Sequence, residues 1–186
     1  MLKKIVILGP ESTGKSTLSA QLAAHYKATW VAEYAREYLE TNGSTYEYSD
    51  LAVIADGQIK QEEIAENNWR NQYVGKEPAP LLFIDTDLHV IKIWSEYVFN
   101  KCDNRLLTSL ASREYDLYLL CDIDLPWVKD ELREYPELSE RLKIFHHYKE
   151  SMLAQHKPWK IINGNYDERL QHAIEAVNEL LNARAH

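Results

Sequence analysis

Near the start of the chain, residues 5–18 read IVILGPESTGKSTL, and Gly9–Ser16 within them fit the pattern G-x-x-x-x-G-K-[ST]. In such a loop, successive backbone N–H groups curl around phosphate oxygens, and the glycines permit both the conformation and the close approach. The Lys15 side chain can reach the β- and γ-phosphates of a nucleotide, and the Ser16 hydroxyl can ligate Mg²⁺. The helix expected next directs the positive end of its dipole at the same anion.

The flanking sequence supplies the context that this motif requires. Ile5–Leu8 is an apolar run typical of a strand buried on both faces, and Leu18, Leu22 and Ala23 follow at helical spacing. A Gly-rich turn without a ligand would leave the Gly-Lys-Ser placement unexplained. We therefore expect the nucleotide, ATP, to be bound by the phosphate loop, which comprises Gly9, Glu11, Ser12, Thr13, Gly14, Lys15, Ser16 and Thr17.

The composition of the chain excludes some classes of function. The 186 residues, 45% of them hydrophobic, suit one domain over residues 1–186, with or without a small lid. The net charge of −8 argues against a general nucleic-acid or anionic-membrane binder, since either needs a basic face. Cys102 and Cys121 lie outside any C-x-x-C pattern, and no signal-peptide pattern or membrane-length apolar run is present. These features predict a cytoplasmic protein with reduced thiols and a small-molecule partner; they do not predict its oligomeric state.

Helical and strand patterns alternate along the chain, which predicts an α/β fold. The pieces sum to a five-stranded parallel sheet with helices on both faces. By fold analogy, this is the arrangement of a P-loop kinase with a small helical lid between the fourth and fifth strands. A long helix is expected from Ser49–Asp50 to about Tyr73, followed by a loop at 76–80. The last helix should begin after Gly164-Asn165, with Asp167 as its cap.

The second informative segment is Leu81–Asp87, LLFIDTD, an apolar strand that ends in acids. Ligands of doubly wound sheets bind at the carboxyl ends of strands, so Asp85 should face the same crevice as the phosphate loop. We expect Asp85 and Ser16 to hold Mg²⁺.

The tetrapeptide Asn100–Asp103, NKCD, matches the N-K-x-D guanine-reading motif of GTPases. It follows a helical pattern over His89–Phe99, whereas that motif should follow a strand. Asp85 is also followed by Thr-Asp-Leu, which lacks the Gly of a D-x-x-G switch. We therefore do not interpret the chain as a GTPase.

A charged span at about 124–150, broken by Pro136, is the candidate lid. It is either a solvated helix pair or a cover over the nucleotide, in which Arg133 and Arg141 would meet phosphates in the closed state. A mobile cationic lid excludes water and stabilises the transferring phosphoryl group.

Taken together, these segments resemble the nicotinamide riboside kinase domain of the NadR family. The matching segments are GPESTGKST (9–17), WVAEYAREYLE (30–40), FIDTD (83–87) and YDLYLLCDIDLPWVKDELR (115–133). Regulator-type members carry an adenylyltransferase domain, and sometimes a DNA-binding domain, upstream; since this chain starts at the kinase's first strand, neither activity is predicted. The resemblance implies transfer of the γ-phosphoryl group of ATP to the 5′-hydroxyl of nicotinamide riboside, giving nicotinamide mononucleotide in NAD salvage.

Three carboxylates are candidates for the acceptor site that the resemblance implies. We favour Asp85 near Mg²⁺ and the reacting hydroxyl, Asp87 on the ribose, and Glu33 as base or substrate ligand. Sequence does not separate them, because a base must lie ~3 Å from the proton it takes, or one water away. Arg36 would orient a carboxylate or a phosphate, or form a surface ion pair.

Nicotinamide riboside contains a pyridinium cation, which favours an aromatic slot with acidic neighbours. Trp94, Tyr97 and Trp127 are the candidates for that slot, with core packing as the alternative for each. Two other functions remain open at this point: a kinase for another nucleoside or nucleotide, and an ATP-binding regulatory module without kinase activity.

The phosphate-loop assignment makes the first prediction. Phosphoryl transfer is stabilised mainly by positioning and charge, so Lys15→Ala should lower turnover by a factor on the order of 10² or more, equivalent to at least ~2.7 kcal/mol. Steady-state kinetics of ADP formation measures this. Normal turnover in the variant would rule out the phosphate role of Lys15.

Overall fold

A computed structural model of the protein describes residues 1–72 and 80–183. Within them, five strands and seven helices alternate: β1 Lys3–Leu8, α1 Lys15–Tyr26, β2 Thr29–Val31, α2 Tyr34–Asn42, α3 Asp50–Gln72, β3 Leu81–Asp85, α4 Leu88–Phe99, α5 Asn104–Ser112, β4 Leu117–Cys121, α6 Leu138–Ala154, β5 Trp159–Ile162 and α7 Tyr166–Asn182. The expected end of the long helix at Tyr73, and most of the loop expected at 76–80, lie outside the described residues.

The strands form one sheet in the order β2-β3-β1-β4-β5, and every neighbouring pair is parallel. This confirms the predicted α/β class and the five-stranded parallel sheet. Strand β1 is central, and its residue Ile7 pairs with Asp85 on β3. The loop after β1 therefore lies between the carboxyl ends of β3 and β4, where side chains from both neighbours converge.

Helices cover both faces of the sheet because the strand side chains alternate in direction. On one face, Ile5 and Ile7 of β1 pack in a cluster with α1 and α7 residues such as Leu22 and Val177. On the other face, Val6 and Leu8 belong to a cluster completed by α4 and α6 residues. All four β1 side chains are fully buried, and each such burial stabilises the fold by roughly 1.5–3 kcal/mol. The start of the phosphate loop is thus fixed by a well-buried strand.

Three details differ from the sequence predictions. Helix α5 was not anticipated; it begins at the side-chain cap Asp103, while Asn100 ends α4 in a left-handed conformation (φ 52°). The NKCD tetrapeptide thus joins two helices, which agrees with its rejection as a guanine motif. The cap of α7 is Asn165, in a capping box with Glu168, so the assignment of Asp167 as the cap was wrong.

The third difference is in the lid. Residues 124–137, which we call the lid loop, have no helix among the described residues, and only α6 makes the predicted span helical. Prolines at 126 and 136 disfavour helical geometry in the residues before them, and Asp130 instead closes a turn by accepting from Leu132 N–H. The two cysteines are free, as expected. None of the helices in the described part combines the length and apolar character needed to cross a membrane.

The contact between α2 and α3 generates a stability prediction. A Cβ added at Gly57 would overlap the ring of Tyr34, so Gly57→Ala should lower the free energy of unfolding by about 1–3 kcal/mol through overpacking. Ordinary helix propensity predicts the opposite sign, a gain of roughly 1 kcal/mol. Chemical denaturation measures the difference.

The control is the same substitution in a Tyr34→Ala background, where the overlap is gone and Gly57→Ala should stabilise. The two substitutions are then non-additive, as expected for residues in contact. Equal effects of Gly57→Ala in both backgrounds would contradict the proposed overlap.

Candidate active site

The phosphate loop adopts a backbone conformation that requires its glycines. Gly9 has φ 141° and Gly14 has φ 77°, both in the region that side chains rarely adopt. A Cβ at Gly9 would also lie 2.7 Å from the carbonyl oxygen of Cys121 at the end of β4. The loop therefore turns tightly against the neighbouring strand before entering α1, whose N-terminus faces the crevice.

Side chains of the loop satisfy its own carbonyl groups. The carbonyl oxygen of Pro10 accepts from Thr13 Oγ1 at 2.8 Å and from Lys15 Nζ at 2.9 Å. The Lys15 ammonium group is thus held close to the turn that it is expected to serve. The loop shape agrees with the phosphate-binding prediction made from the motif.

Arg169 supports the loop from behind, and the sequence analysis missed it. Its side chain is 2% exposed and donates to the carbonyl oxygens of Thr13 (3.0 Å), Gly164 (2.7 Å) and Asp122 (2.9 Å). It also forms an ion pair with Asp124. One guanidinium group therefore joins the phosphate loop to the ends of β4 and β5. A single Arg in an amphipathic helix is normally predicted to be solvent-exposed, so the sequence contained no signal that Arg169 supports the phosphate loop.

Asp85 lies beside the loop at the end of β3 and is 1% exposed. Burial, together with the nearby charge of Glu33, raises the pKa of its carboxyl group to about 7, although Lys15 and the Ser16 hydroxyl act in the opposite direction. Among the described residues, Asp85 Oδ1 has no hydrogen-bond partner. A buried carboxylate oxygen of this kind is costly unless something occupies its lone pairs.

The residues around Asp85 fit a Mg²⁺ ion. A carboxylate and a hydroxyl are the oxygen ligands that Mg²⁺ takes, and Mg²⁺ usually completes its shell with water and substrate phosphates. Within the described residues, no group of three or more His, Cys, Asp or Glu side chains could hold a metal by itself. Asp85 and Ser16 would therefore hold the ion together with phosphate oxygens.

Glu33 lies at the N-terminus of α2, directly after the short strand β2. Together with the phosphate loop it lines a cavity of about 340 Å³. Its charge contributes to the raised pKa of Asp85, so the two carboxylates are near enough for their charges to interact. The structure thus brings together two of the three acids that the sequence singled out.

The third acid, Asp87, does not line the cavity. It is fully buried and caps α4, where its Oδ1 accepts from the His89 backbone at 3.0 Å and its Oδ2 contacts His89 Nδ1 at 2.7 Å. Both carboxylate oxygens are engaged within the helix terminus. The structure therefore gives Asp87 a capping position, and the ribose contact expected from the sequence has no support in this placement.

Of the three aromatic residues predicted for the acceptor site, one lines the cavity and two do not. Trp94 lines the cavity, whereas Tyr97 donates to Glu140 and packs on Tyr135, and Trp127 donates to Glu11 at 3.4 Å. Three tyrosines that the sequence analysis did not select also line the cavity, namely Tyr46, Tyr148 and Tyr166. They come from three distant segments, so no local pattern could have grouped them.

The lid loop is attached to the phosphate loop by side chains of that loop. The Glu11 carboxylate accepts from the backbone N–H groups of Glu134 (2.9 Å) and Tyr135 (2.6 Å). Ser12 Oγ accepts from Val128 N–H at 2.9 Å and lies 3.4 Å from Arg133 Nη1. Glu11 and Ser12 were expected to bind the nucleotide; in this structure their side chains accept hydrogen bonds from the lid loop.

The remaining predicted cations differ in environment. Arg133 lines the cavity, as does Arg36, although Arg36 is paired with Asp130 (2.9 Å) and Glu40 (3.0 Å). Arg141 is 6% exposed, does not line the cavity, and has no hydrogen-bond partner for Nε or Nη1 among the described residues. The phosphate role expected for Arg141 stays a prediction.

A parallel sheet in this order, with a phosphate loop after the central strand and carboxylates at the adjoining strand ends, defines a P-loop protein with a kinase-like fold. The family comparison agrees with that class. The chain belongs to the AAA domain family, whose model matches residues 4–169.

The chain is similar in sequence and in structure to NadR proteins. The chain is 28% identical, over 97% of its length, to the trifunctional NAD biosynthesis/regulator protein NadR of Escherichia coli, and spans 43% of that protein. A solved structure of NadR in complex with NR superposes with a TM-score of 0.74 at 25% identity, covering 96% of this chain and 49% of the other. These matches confirm the resemblance to the NadR family seen in the sequence.

A deoxyadenosine kinase from M. mycoides, solved with bound products, shares the fold. Its TM-score is 0.62 at 14% identity, with coverage of 95% of this chain and 99% of the kinase. At that identity the likeness establishes the architecture alone.

The electrostatics of Asp85 lead to a stability prediction. Its folded-state pKa, about 7, exceeds the ordinary value of 3.8, so its ionisation opposes folding increasingly as pH rises from 4 to 7, and fully above that window. In metal-free protein, Asp85→Asn should raise the free energy of unfolding by on the order of 2–4 kcal/mol at pH 8, and by progressively less toward pH 4. Denaturant titrations across this range in EDTA measure the effect.

The same variant should lose turnover, because it removes the carboxylate expected at the metal. Asp167→Asn, an exposed acid on α7, is the matched control and should show neither change. A destabilised Asp85→Asn protein at pH 8 would contradict the electrostatic argument.

Proposed function

We propose that the protein transfers the γ-phosphoryl group of ATP to the 5′-hydroxyl of nicotinamide riboside. The observation that carries the proposal is the placement of two carboxylates beside the phosphate loop: Glu33 lines the cavity, which also has an aromatic wall, and Asp85 is buried next to Ser16. Such a site can hold a triphosphate and a sugar hydroxyl together, which is most of what phosphoryl transfer requires from a protein.

The two carboxylates suit different tasks. Asp85 is buried next to Ser16 and has an unpartnered oxygen, so we assign it to Mg²⁺, which when bound neutralises charge on the transferring phosphates. Glu33 is partly exposed in the cavity and can accept a hydrogen bond from the acceptor hydroxyl, as a general base must. We do not include Asp87, because its oxygens are engaged by His89.

The basic residues of the cavity favour an acceptor without a phosphate group. Of those described, Lys15 and Arg133 lie at the phosphate loop and lid loop, and Arg36 is paired with two acids. A nucleotide acceptor would need a further free cation for its own phosphate. An aromatic wall with Glu33 nearby instead suits a neutral or cationic nucleoside, and the pyridinium ring of nicotinamide riboside is such a group.

The relatives support the same acceptor. The NadR structure carries NR, and a second NadR structure carries NAD and AMP-PNP, an ATP analogue. Both are longer than this chain, so their further activities are not part of the proposal. Closure of the lid loop, with Arg133, would exclude water from the transfer.

The decisive experiment measures ADP release from ATP·Mg²⁺ with nicotinamide riboside, a panel of other nucleosides and a nucleoside monophosphate. We expect nicotinamide riboside to give the strongest stimulation, with nicotinamide mononucleotide identified by mass spectrometry. Glu33→Gln should lower kcat by roughly 10²-fold or more. Glu37→Gln, one turn further along α2, is the matched control and should remain near wild type.

The alternatives have distinct outcomes. Preferential phosphorylation of another nucleoside or of the monophosphate would replace the acceptor and keep the kinase assignment. Slow hydrolysis that no acceptor stimulates would overturn the proposal in favour of an ATP-binding regulatory module.

A further inference from the structure

Gln58 on α3 bridges the two segments that carry the site carboxylates. Its side chain is 2% exposed; Oε1 accepts from the backbone N–H of Tyr34 at 2.9 Å, and Nε2 donates to the carbonyl oxygen of Thr86 at 3.0 Å. Tyr34 directly follows Glu33, and Thr86 directly follows Asp85. One amide group therefore connects the residues next to both acids.

Both backbone partners need this bridge. Tyr34 N–H belongs to the first turn of α2, where no intrahelical acceptor exists. Thr86 is a non-glycine residue with φ 68°, and only its N–H is bonded to the sheet, at Ile7 O. A buried, unpaired backbone group is costly. Gln58 satisfies both groups, because it accepts from the N–H of Tyr34 and donates to the carbonyl oxygen of Thr86. A side-chain amide provides both at once, whereas a carboxylate would lack the donor.

Glu33 is positioned by β2, which pairs with β3 at Val31 and Ile84, and by the packing of α2 on α3. Strand β2 has three residues, and α2 has no fully buried residue in the described structure. Tyr34 packs where Gly57, the neighbour of Gln58, leaves space for its ring. Asp85, in contrast, is fixed at the end of a fully buried strand. Because β2 ends two residues before Glu33, the contacts between α3 and the start of α2, including the Gln58 bridge, help to set the distance between the acids.

We infer that Gln58 is a positioning residue that fixes the separation of the Glu33 and Asp85 carboxylates. The inference rests on the proposed function for its effect on turnover, though not for its effect on geometry. Displacement of a reacting group by about 1 Å can cost roughly 10²-fold in rate, so loss of the bridge should lower kcat. The nucleotide site should remain intact, since the phosphate loop is held by β1 and Arg169.

The test compares Gln58→Met with Gln61→Met. Methionine preserves the length of the side chain and removes both hydrogen-bonding groups. Gln61 is the matched control, because it lies one turn along α3 and also bonds α2, at Glu37 Oε2 (2.8 Å), on the surface. We expect Gln58→Met to lower kcat ten- to hundred-fold, with the Kd of Mg²⁺·AMP-PNP within twofold of wild type, and Gln61→Met to change neither.

Amide hydrogen exchange gives a readout that is independent of the acceptor. Gln58→Met should accelerate exchange at Tyr34 N–H by tenfold or more while core strand amides stay protected, and crystals of the variant should show a changed Glu33–Asp85 separation. If Gln58→Met fails to fold, Gln58→Asn serves instead, because its shorter amide cannot span both backbone groups.

The outcomes separate this inference from the proposed function. Unchanged kcat with accelerated Tyr34 exchange would overturn the positioning role, as would an equal loss of kcat in Gln61→Met. If wild-type protein phosphorylates no acceptor, the proposed function fails, and the inference still stands or falls on the Tyr34 exchange and the carboxylate separation.

Discussion

The turn after the central strand must present N–H groups to an anion, so its carbonyl groups need partners elsewhere. That requirement accounts for much of the surrounding structure. Pro10 O is satisfied from within the loop by Thr13 and Lys15, and Thr13 O is satisfied by Arg169 from α7. Because the same guanidinium group also bonds the ends of β4 and β5, the loop is fixed to three parallel strands. Its conformation is preorganised, which is how electrostatic stabilisation of a transferring group avoids reorganisation at the moment of reaction.

Beside this loop the protein keeps an arrangement that is unfavourable for stability. Asp85 is buried near a second carboxylate, Glu33, and one of its oxygens has no hydrogen-bond partner among the described residues. Desolvation and like charge both oppose its ionisation. A divalent cation bound there, as proposed, would oppose both effects and favour the ionised form. Natural proteins retain destabilising groups of this kind where activity depends on them.

The sequence specified most of the fold and about half of the candidate site. Local signals sufficed where one segment carries the information: the phosphate loop motif, the apolar strands, and Asp85 at a strand end. They failed where the partner is remote. The carboxylate of Glu11 holds a lid loop more than 110 residues away, and Arg169 reaches the phosphate loop 156 residues earlier. Periodicity and spacing contain no information about such pairings, which depend on how the finished sheet brings distant ends together.

The two halves of the site are built on elements of unequal stability. The phosphate half depends on β1 and α1, which contribute fully buried side chains to the core. The acceptor half depends on α2 and the lid loop, where side chains are partly exposed and backbone N–H groups donate hydrogen bonds to Gln58, Glu11 and Ser12. Low local stability is a property of elements that move when ligands bind. In the proposed kinase, a rigid triphosphate site with an adaptable acceptor site would allow the fold to keep its chemistry while the acceptor changes. The residues that hold α2 and the lid loop would then matter as much for specificity as those that line the cavity.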